Sequence, residues 1–397
     1  MLSAFRRACK SLAQLVLSRK AAPATLLLSA FALSACVGGA PSTGPTVARG
    51  TPVQVALLVP GGSGQATDAA MARQLENAAR LAMADLSGVA IDLRVYQTSG
   101  TPDSARAMAV KAMDEGAKVI LGPVFAQEAN AAGVAAAPRG VSVLAFSNNT
   151  DIAGGNVYVL GPTFANTAKR LAGYAVRSGK NRIMIVHDKN TAGEVGKTAI
   201  QRGVAAAGGT VVAVQGYEFS QSGVASAAPS IVATAKSSGA SALFLTADTA
   251  GALPLLSQQL LNSGMDRSTT KFIGLTRWDI PSATLSLPGV QGGWFAMPDP
   301  NLYAQFQQRY QAAYGETPLP IAGLAYDGIA AIGALAKSGK DLGAAGLTQN
   351  AGFVGVTGIF RLRSDGSNDR GLAIAEIRNN QVFVIDPAPR SFAGAGL

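Results

Sequence analysis

Polar side chains that could hold a small molecule stand directly after the apolar runs that we predict to be β-strands. They include hydroxyl and amide groups that could bind a carboxylate and an acid that could bind an ammonium group. The candidates are Ser63, Gln127, Ser147, Asn148, Asn149, Asn190, Tyr217, Asp248 and Trp278. Ligands of open α/β sheets bind at the carboxyl ends of the strands, so these positions predict a ligand-binding site. The alternative is that they are ordinary surface turns.

The set is incomplete for an amino acid. Ser147, Asn148 and Asn149 offer donors and Asp248 offers an acid, but Phe125-Ala126-Gln127 after the Gly122-Pro123 turn carries no hydroxyl. Trp278 follows a predicted strand, where an indole with a free face could serve as a stacking platform.

Catalytic and metal-binding patterns are weak. The sequence has one histidine, His187, and no G-x-S-x-G nucleophile motif, which limits Ser-His and Cys-His catalysis and leaves no multi-histidine metal site. The run Gly61–Gly64 lacks the Lys-Ser/Thr ending of a phosphate-binding loop. We therefore expect no enzyme activity, no cofactor and no metal.

Composition supports a binding protein of about two domains. The 397 residues are 48% hydrophobic and 14% charged, which excludes a highly charged disordered chain. The formal charge is +10, but residues 1–35 carry five basic residues and no acid, so the rest carries +5. There is no Lys/Arg run with interleaved aromatics, and we expect no nucleic-acid partner.

The first fifty residues resemble an export segment. A basic stretch is followed by an apolar run at 24–33 and then Leu33-Ser34-Ala35-Cys36, which resembles a bacterial lipobox. The resemblance implies a signal peptide over 1–35, lipidation of Cys36 and a flexible tether over 36–51; the alternative is an ordinary signal with a chance cysteine. Val37 after the cysteine implies the periplasmic face of the outer membrane if the host is Gram-negative.

From residue 52 onward, predicted strands and helices alternate. This pattern predicts an α/β fold with two doubly wound parallel-sheet lobes, followed by antiparallel hairpins near the end. The predicted strands are 53–59, 91–96, 118–121, 141–146, 182–187, 210–217, 242–246, 271–275, 292–297, 358–362, 372–377 and 382–385. The predicted helices are 71–86, 102–115, 164–177, 191–207, 224–237, 250–263, 301–314 and 320–337.

The order of segments resembles the type I periplasmic binding-protein fold, in its leucine-binding-protein family. The stretches that carry this resemblance include V-A-L-L-V-P-G-G-S-G, V-I-L-G-P-V, A-Y-D-G-I-A-A-I and F-V-G-V-T-G-I-F-R-L-R-S-D-G. It implies two lobes joined by three crossovers around a ligand cleft. We expect lobe one at 52–158 plus 290–337, lobe two at 159–289 plus 338–386, and a tail at 387–397. Members that bind branched amino acids have several Ser/Thr after the Gly-Pro turn, unlike this chain.

Within that family, the lipobox and the ending R-G-L-A-I-A-E-I-R-N-N-Q-V-F-V-I-D-P-A-P are most similar to penicillin-binding protein activator lipoproteins. The preferred interpretation is therefore a non-catalytic, lipid-anchored envelope protein that regulates peptidoglycan synthesis by contacting penicillin-binding proteins. The alternative is the solute-binding protein of an ABC transporter, with a permease as partner and amino acids or small peptides as ligands.

Overall fold

A computed structural model describes residues 44–45 and 51–393 of the chain. Within these residues the backbone forms a five-stranded, a seven-stranded and a three-stranded sheet. The two larger sheets each lie in an α/β lobe, which confirms the predicted fold class.

Lobe one is built on a parallel sheet in the order β2-β1-β3-β4-β5. Its strands are β1 (Val53–Val59), β2 (Ile91–Gln97), β3 (Val119–Leu121), β4 (Ser142–Ala145) and β5 (Val157–Val159). Its first helices are α1 (Ala66–Asp85), α2 (Pro102–Asp114) and α3 (Ala126–Ala136). β1 is apolar apart from Gln54, because both faces of the sheet are covered. Thr101 caps α2 by accepting from Ser104 N.

Lobe two is built on the larger sheet, in the order β15-β14-β10-β9-β8-β6-β7. Its strands are β6 (Arg182–Asp188), β7 (Thr210–Tyr217), β8 (Ala242–Leu245), β9 (Lys271–Gly274), β10 (Trp294–Met297), β14 (Ala373–Arg378) and β15 (Gln381–Asp386). Its helices are α4 (Phe164–Arg177), α5 (Thr191–Ala206), α6 (Gln221–Ser237) and α7 (Leu253–Asn262). The pairs from β7 to β10 are parallel, whereas β14 and β15 form an antiparallel hairpin.

The remaining segments return to lobe one. They are α8 (Pro300–Tyr314), α9 (Ala322–Ser338), α10 (Ala344–Leu347) and the small antiparallel sheet of β11 (Phe353–Gly355), β12 (Gly358–Leu362) and β13 (Asn368–Arg370). Apolar side chains of all these helices, β11 and β12 join the core of lobe one. The chain thus passes between the lobes near residues 160–163, 297–300 and 370–373.

These crossings correct the expected lobe boundaries. Residues 294–297 were expected in lobe one, but β10 pairs with β9 and β14 and so belongs to lobe two. Residues 342–370 were expected in lobe two, but Phe353, Phe360 and Leu362 pack into the lobe-one core. The helix α3 was not expected, because its alanine-rich sequence has little apolar periodicity.

The predicted signal peptide, Cys36 and most of the predicted tether lie outside the described residues. Three residues of the predicted tether, Gly44, Pro45 and Thr51, are described, and Leu342 N donates to Pro45 O at 3.4 Å. None of the described helices is both long and apolar enough to cross a membrane.

Candidate functional site

A cavity of about 580 Å³ lies between the lobes, where strands of both large sheets end. Its walls come from the segments after β3 and β4 in lobe one, the segments after β9 and β10 in lobe two, and the crossovers. The residues that line it are Val124–Ala126, Phe146–Asn149, Gly161, Pro162, Phe164, Thr167, Leu275–Arg277, Ala296–Pro298, Tyr303, Pro320, Ile321, Leu324, Thr357, Arg370 and Leu372. This volume is in the range of small-molecule binding sites.

Most of the cavity wall is apolar. Phe125, Phe146, Phe164 and Met297 contribute large side chains, and among the described lining residues there is no aspartate or glutamate. An ammonium group inside the cavity would therefore have no carboxylate to pair with, and its desolvation would be costly. The wall favours an apolar ligand portion.

Tyr303 lines this wall and carries a polar group that is buried behind it. It lies on α8, and its hydroxyl is buried without a hydrogen-bond partner among the described residues. Burial raises the pKa of the Tyr303 hydroxyl. A buried unpaired hydroxyl is costly, so a ligand acceptor at this point would be stabilised.

Arg277 supplies the positive charge that follows β9. Its guanidinium donates to Asp279 through Nε at 2.9 Å and through a second, shorter hydrogen bond. This bidentate contact orients the arginine at the cavity wall and balances its charge.

The crossovers are joined beneath the cavity by Arg370. Its Nε donates to Leu160 O at 2.9 Å, and one terminal nitrogen donates to the Thr357 hydroxyl at 2.6 Å. The same nitrogen lies 3.4 Å from a carboxylate oxygen of the fully buried Asp327 on α9. Asp299 N also donates to Thr357 O at 3.3 Å, so the three crossovers form one hydrogen-bonded unit.

Three of the predicted ligand-binding residues, Ser147, Asn148 and Asn149, line the cavity. The Ser147 hydroxyl accepts from Asn149 N at 3.1 Å, and the Asn149 side chain accepts from Asp151 N at 2.8 Å. The exposed Asn148 makes no side-chain hydrogen bond within the described part of the chain. Its amide is thus available to a ligand, and its role stays a prediction.

Two predicted residues of lobe one lie near strand ends but outside the cavity lining. The Ser63 hydroxyl donates to Asp68 Oδ2 at 2.8 Å. Gln127 is exposed on the first turn of α3, next to the lining residue Ala126. The structure does not bring either residue to the cavity wall.

The predicted residues Asn190, Tyr217 and Asp248 lie together along the carboxyl edge of the lobe-two sheet, outside the cavity. The Asn190 side chain caps α5 by accepting from Gly193 N at 2.8 Å. Tyr217 is buried and donates its hydroxyl to Asp188, so it is less available to a ligand than expected. Burial, with a smaller contribution from the exposed Asp248, raises the pKa of Asp188 to about 6.

Trp278 does not offer the free face that we expected. Its side chain is fully buried in the lobe-two core, against Gly274 and Gly293. A Cβ added at either glycine would lie within 2.4 Å of the indole, so the ring fills space that only glycine leaves open. Sequence alone showed a tryptophan after a strand but not the two glycines that receive it.

His187 lies near the end of β6 and contacts its neighbours there. Its Nδ1 lies 3.1 Å from Asp188 O and 3.3 Å from Glu194 Oε1. Within residues 44–45 and 51–393, no group of three or more His, Cys, Asp and Glu side chains could hold a metal ion.

Sequence reasoning missed Tyr303, Arg277, Thr357 and Arg370 as site residues. Tyr303 belongs to an aromatic row on α8 whose other members, such as Phe306 and Tyr310, pack in the core. Arg277 could have been found, because it lies in a strand-end segment. Thr357 and Arg370 reach the cavity only because the crossovers meet there, and no local pattern signals this.

The chain is similar in structure to several solved binding proteins. A Rhodospirillum rubrum protein named as a branched-chain amino acid ABC transporter matches with a TM-score of 0.71 and 18% identity, over 84% of this chain and 100% of that one. A Desulfitobacterium hafniense ABC transporter substrate-binding protein in complex with Leu matches with a TM-score of 0.62 and 17% identity, over 84% of this chain and 100% of that one. A Rhodopseudomonas palustris solute-binding protein in complex with benzoate matches with a TM-score of 0.56 and 19% identity, over 87% of this chain and 99% of that one.

These identities establish the shared fold and not the ligand. No curated protein sequence matches the chain. The family profile described as periplasmic binding protein matches residues 52–381, which is most of the chain. The two lobes, the crossovers and this match agree with one another, and the chain belongs to the periplasmic binding protein family.

Proposed function

We propose that this protein is a non-catalytic solute-binding protein of the cell envelope that captures a small molecule between its two lobes. The observation that carries the proposal is the mainly apolar 580 Å³ cavity between the lobes, which Tyr303 helps to line. Structurally similar proteins named as ABC transporter solute-binding proteins support the proposal, with an ABC permease as the partner. The lipobox-like run at 33–36 supports lipid anchoring at Cys36, and Val37 supports the outer membrane if the host is Gram-negative.

A second candidate function is regulation of penicillin-binding proteins through direct contact. The observation that favours it is the absence of an acidic residue among the described residues lining the cavity, since an amino-acid receptor needs a partner for the ligand ammonium. The sequence resemblance of residues 370–389 to activator lipoproteins points the same way. The binding cleft and the protein contact could coexist on one molecule.

A thermal-shift screen of the purified protein against leucine, benzoate and short peptides tests the first function. A ligand present at a thousand times its dissociation constant stabilises the folded state by about 4 kcal/mol, which raises the melting temperature by several degrees. We expect such a shift with at least one apolar solute and a smaller one in Tyr303→Phe. No shift with any compound, together with specific retention of purified penicillin-binding proteins on the immobilised chain, would favour the second function.

A further inference from the structure

We infer that the ligand is an elongated amphiphile with an apolar head in the cavity between the lobes and an anionic tail in an adjoining groove along α4 and α5. This inference rests on the proposed solute-binding function and specifies its ligand class. The adjoining groove, called here the outer groove, has a volume of about 970 Å³. It is lined by Asn148–Asp151, Thr163–Ala165, Lys169, Thr191, Ala192, Glu194, Val195, Thr198, Ala199, Arg202, Gly203 and Ala206.

The two spaces are adjacent and share part of their walls. Asn148, Asn149 and Phe164 line both the cavity and the outer groove. A molecule whose apolar end contacts Phe164 inside the cavity can therefore pass the two asparagine side chains and continue outward. The Asn148 amide, which is free of hydrogen bonds within the described chain, lies at this junction.

The outer groove differs from the cavity in polarity. Threonine hydroxyls and charged side chains line it, whereas the cavity wall is mainly apolar. An amphiphile would match both environments, because its apolar part gains from burial and its polar part keeps hydrogen-bond partners.

Two cations in the outer groove form no direct salt bridge among the described residues, although the charge of Lys169 contributes to lowering the pKa of Asp369. Lys169 on α4 and Arg202 on α5 are both exposed and make no salt bridge. The acid Glu194 is already engaged by Lys197 and by His187. Asp151 is the other acid of the lining, so the unpaired groups of the groove carry a net positive charge. An anionic tail would complement this charge.

The distance from the cavity to these cations fits a short tail. Lys169 lies five residues after Phe164 on α4, which is about 8 Å along the helix axis. Three extended amino-acid residues span about 10 Å, so a tripeptide tail reaches Lys169 from the junction. A free α-amino acid is too short to occupy both the cavity and the outer groove. Its ammonium group would lie against the cavity wall, whose described lining residues include no aspartate or glutamate.

The test compares three probes by isothermal titration calorimetry: leucine, benzoate and N-benzoyl-triglycine. N-benzoyl-triglycine carries an apolar head and a carboxylate about one tripeptide away. We expect it to bind about tenfold more tightly than benzoate, from two partly exposed charge contacts. The double variant Lys169→Ala, Arg202→Ala should remove this advantage and leave benzoate binding unchanged.

The matched control is the double variant Arg106→Ala, Lys236→Ala, which removes two exposed cations on α2 and α6 that line neither space. This control variant should still bind N-benzoyl-triglycine about tenfold more tightly than benzoate. The inference is wrong, and solute binding stands, if leucine or benzoate binds but N-benzoyl-triglycine binds no more tightly than benzoate. The same holds if its tighter binding persists in the double variant Lys169→Ala, Arg202→Ala. If none of the probes binds, the proposed function fails and the inference with it.

Discussion

Arg370 donates a hydrogen bond from Nε to the main-chain oxygen of Leu160 at 2.9 Å, which ties the third crossover to the first. The arginine is 6% exposed and also contacts Asp327 and Thr357. Burial raises the pKa of Asp327, and the guanidinium opposes this effect by stabilising the ionised carboxylate. A buried charge pair thus holds the segments about which the lobes would have to move.

Removing the arginine should strongly destabilise the protein. Arg370→Met would leave the Asp327 carboxylate buried without its cation, and we expect the free energy of unfolding to fall by about 3–5 kcal/mol. The double variant Asp327→Asn, Arg370→Met should recover part of this loss because it removes the buried charge. Urea denaturation measures both values. A loss below about 1 kcal/mol in the single variant would show that the pair does not secure the crossovers.

Removing the Tyr303 hydroxyl should separate binding from stability. Because this hydroxyl is buried and unpaired, Tyr303→Phe should leave the free energy of unfolding unchanged or raise it by about 1 kcal/mol. Binding of a cavity ligand should weaken. The matched control is Tyr310→Phe. The Tyr310 hydroxyl accepts a hydrogen bond from Asn77 Nδ2 at 3.2 Å and lies outside the cavity, so this variant should leave ligand binding intact. Equal binding by the wild type and Tyr303→Phe would remove Tyr303 from the site.

The stability should depend on pH through Asp188. Its pKa is about 6 in the folded state and about 3.9 in an unfolded chain, so the folded state binds more protons between these values. The free energy of unfolding should therefore fall by about 2 kcal/mol as the pH rises from 4 to 7. Asp188→Asn should flatten that part of the profile in urea denaturation, and Asp248→Asn should reduce its slope. An unchanged profile in Asp188→Asn would refute the assignment.

Trp278 should behave as a core residue and not as a ligand platform. Trp278→Ala removes a fully buried indole, and we expect the free energy of unfolding to fall by about 3–5 kcal/mol. Ligand binding, measured well below the melting temperature, should persist because the indole lies outside the cavity lining. Lost binding with unchanged stability would restore the platform interpretation.

Much of the fold could be predicted because its local patterns are strong. The strands 53–59, 210–217 and 358–362 and the helix 164–177 match the structure residue for residue, since apolar runs and helical periodicity mark them clearly. The lobe boundaries could not be placed in the same way. Whether β10 joins one sheet or the other depends on its pairing with β9 and with β14, and β14 lies about 80 residues further along the chain.

The site could be predicted only in part, for a similar reason. Ser147–Asn149 follow a strand whose end lies at the cavity, so a strand-end rule finds them. Tyr303 and Arg370 come from a helix and a crossover that only the assembled fold brings to the cavity. Trp278 has the right strand-end position but the opposite orientation, because Gly274 and Gly293 open space for it inside the core.

Native mass spectrometry of the protein with a blocked cleft tests solute capture most directly. Ala126→Trp on α3 places an indole at the cavity wall, and Val134→Trp places one at an exposed site on the same helix as a control. Each protein is equilibrated with leucine, benzoate and N-benzoyl-triglycine. We expect one bound molecule per chain in the wild type and Val134→Trp, and none in Ala126→Trp. Binding that survives in Ala126→Trp, or no binding in the wild type, would contradict capture between the lobes.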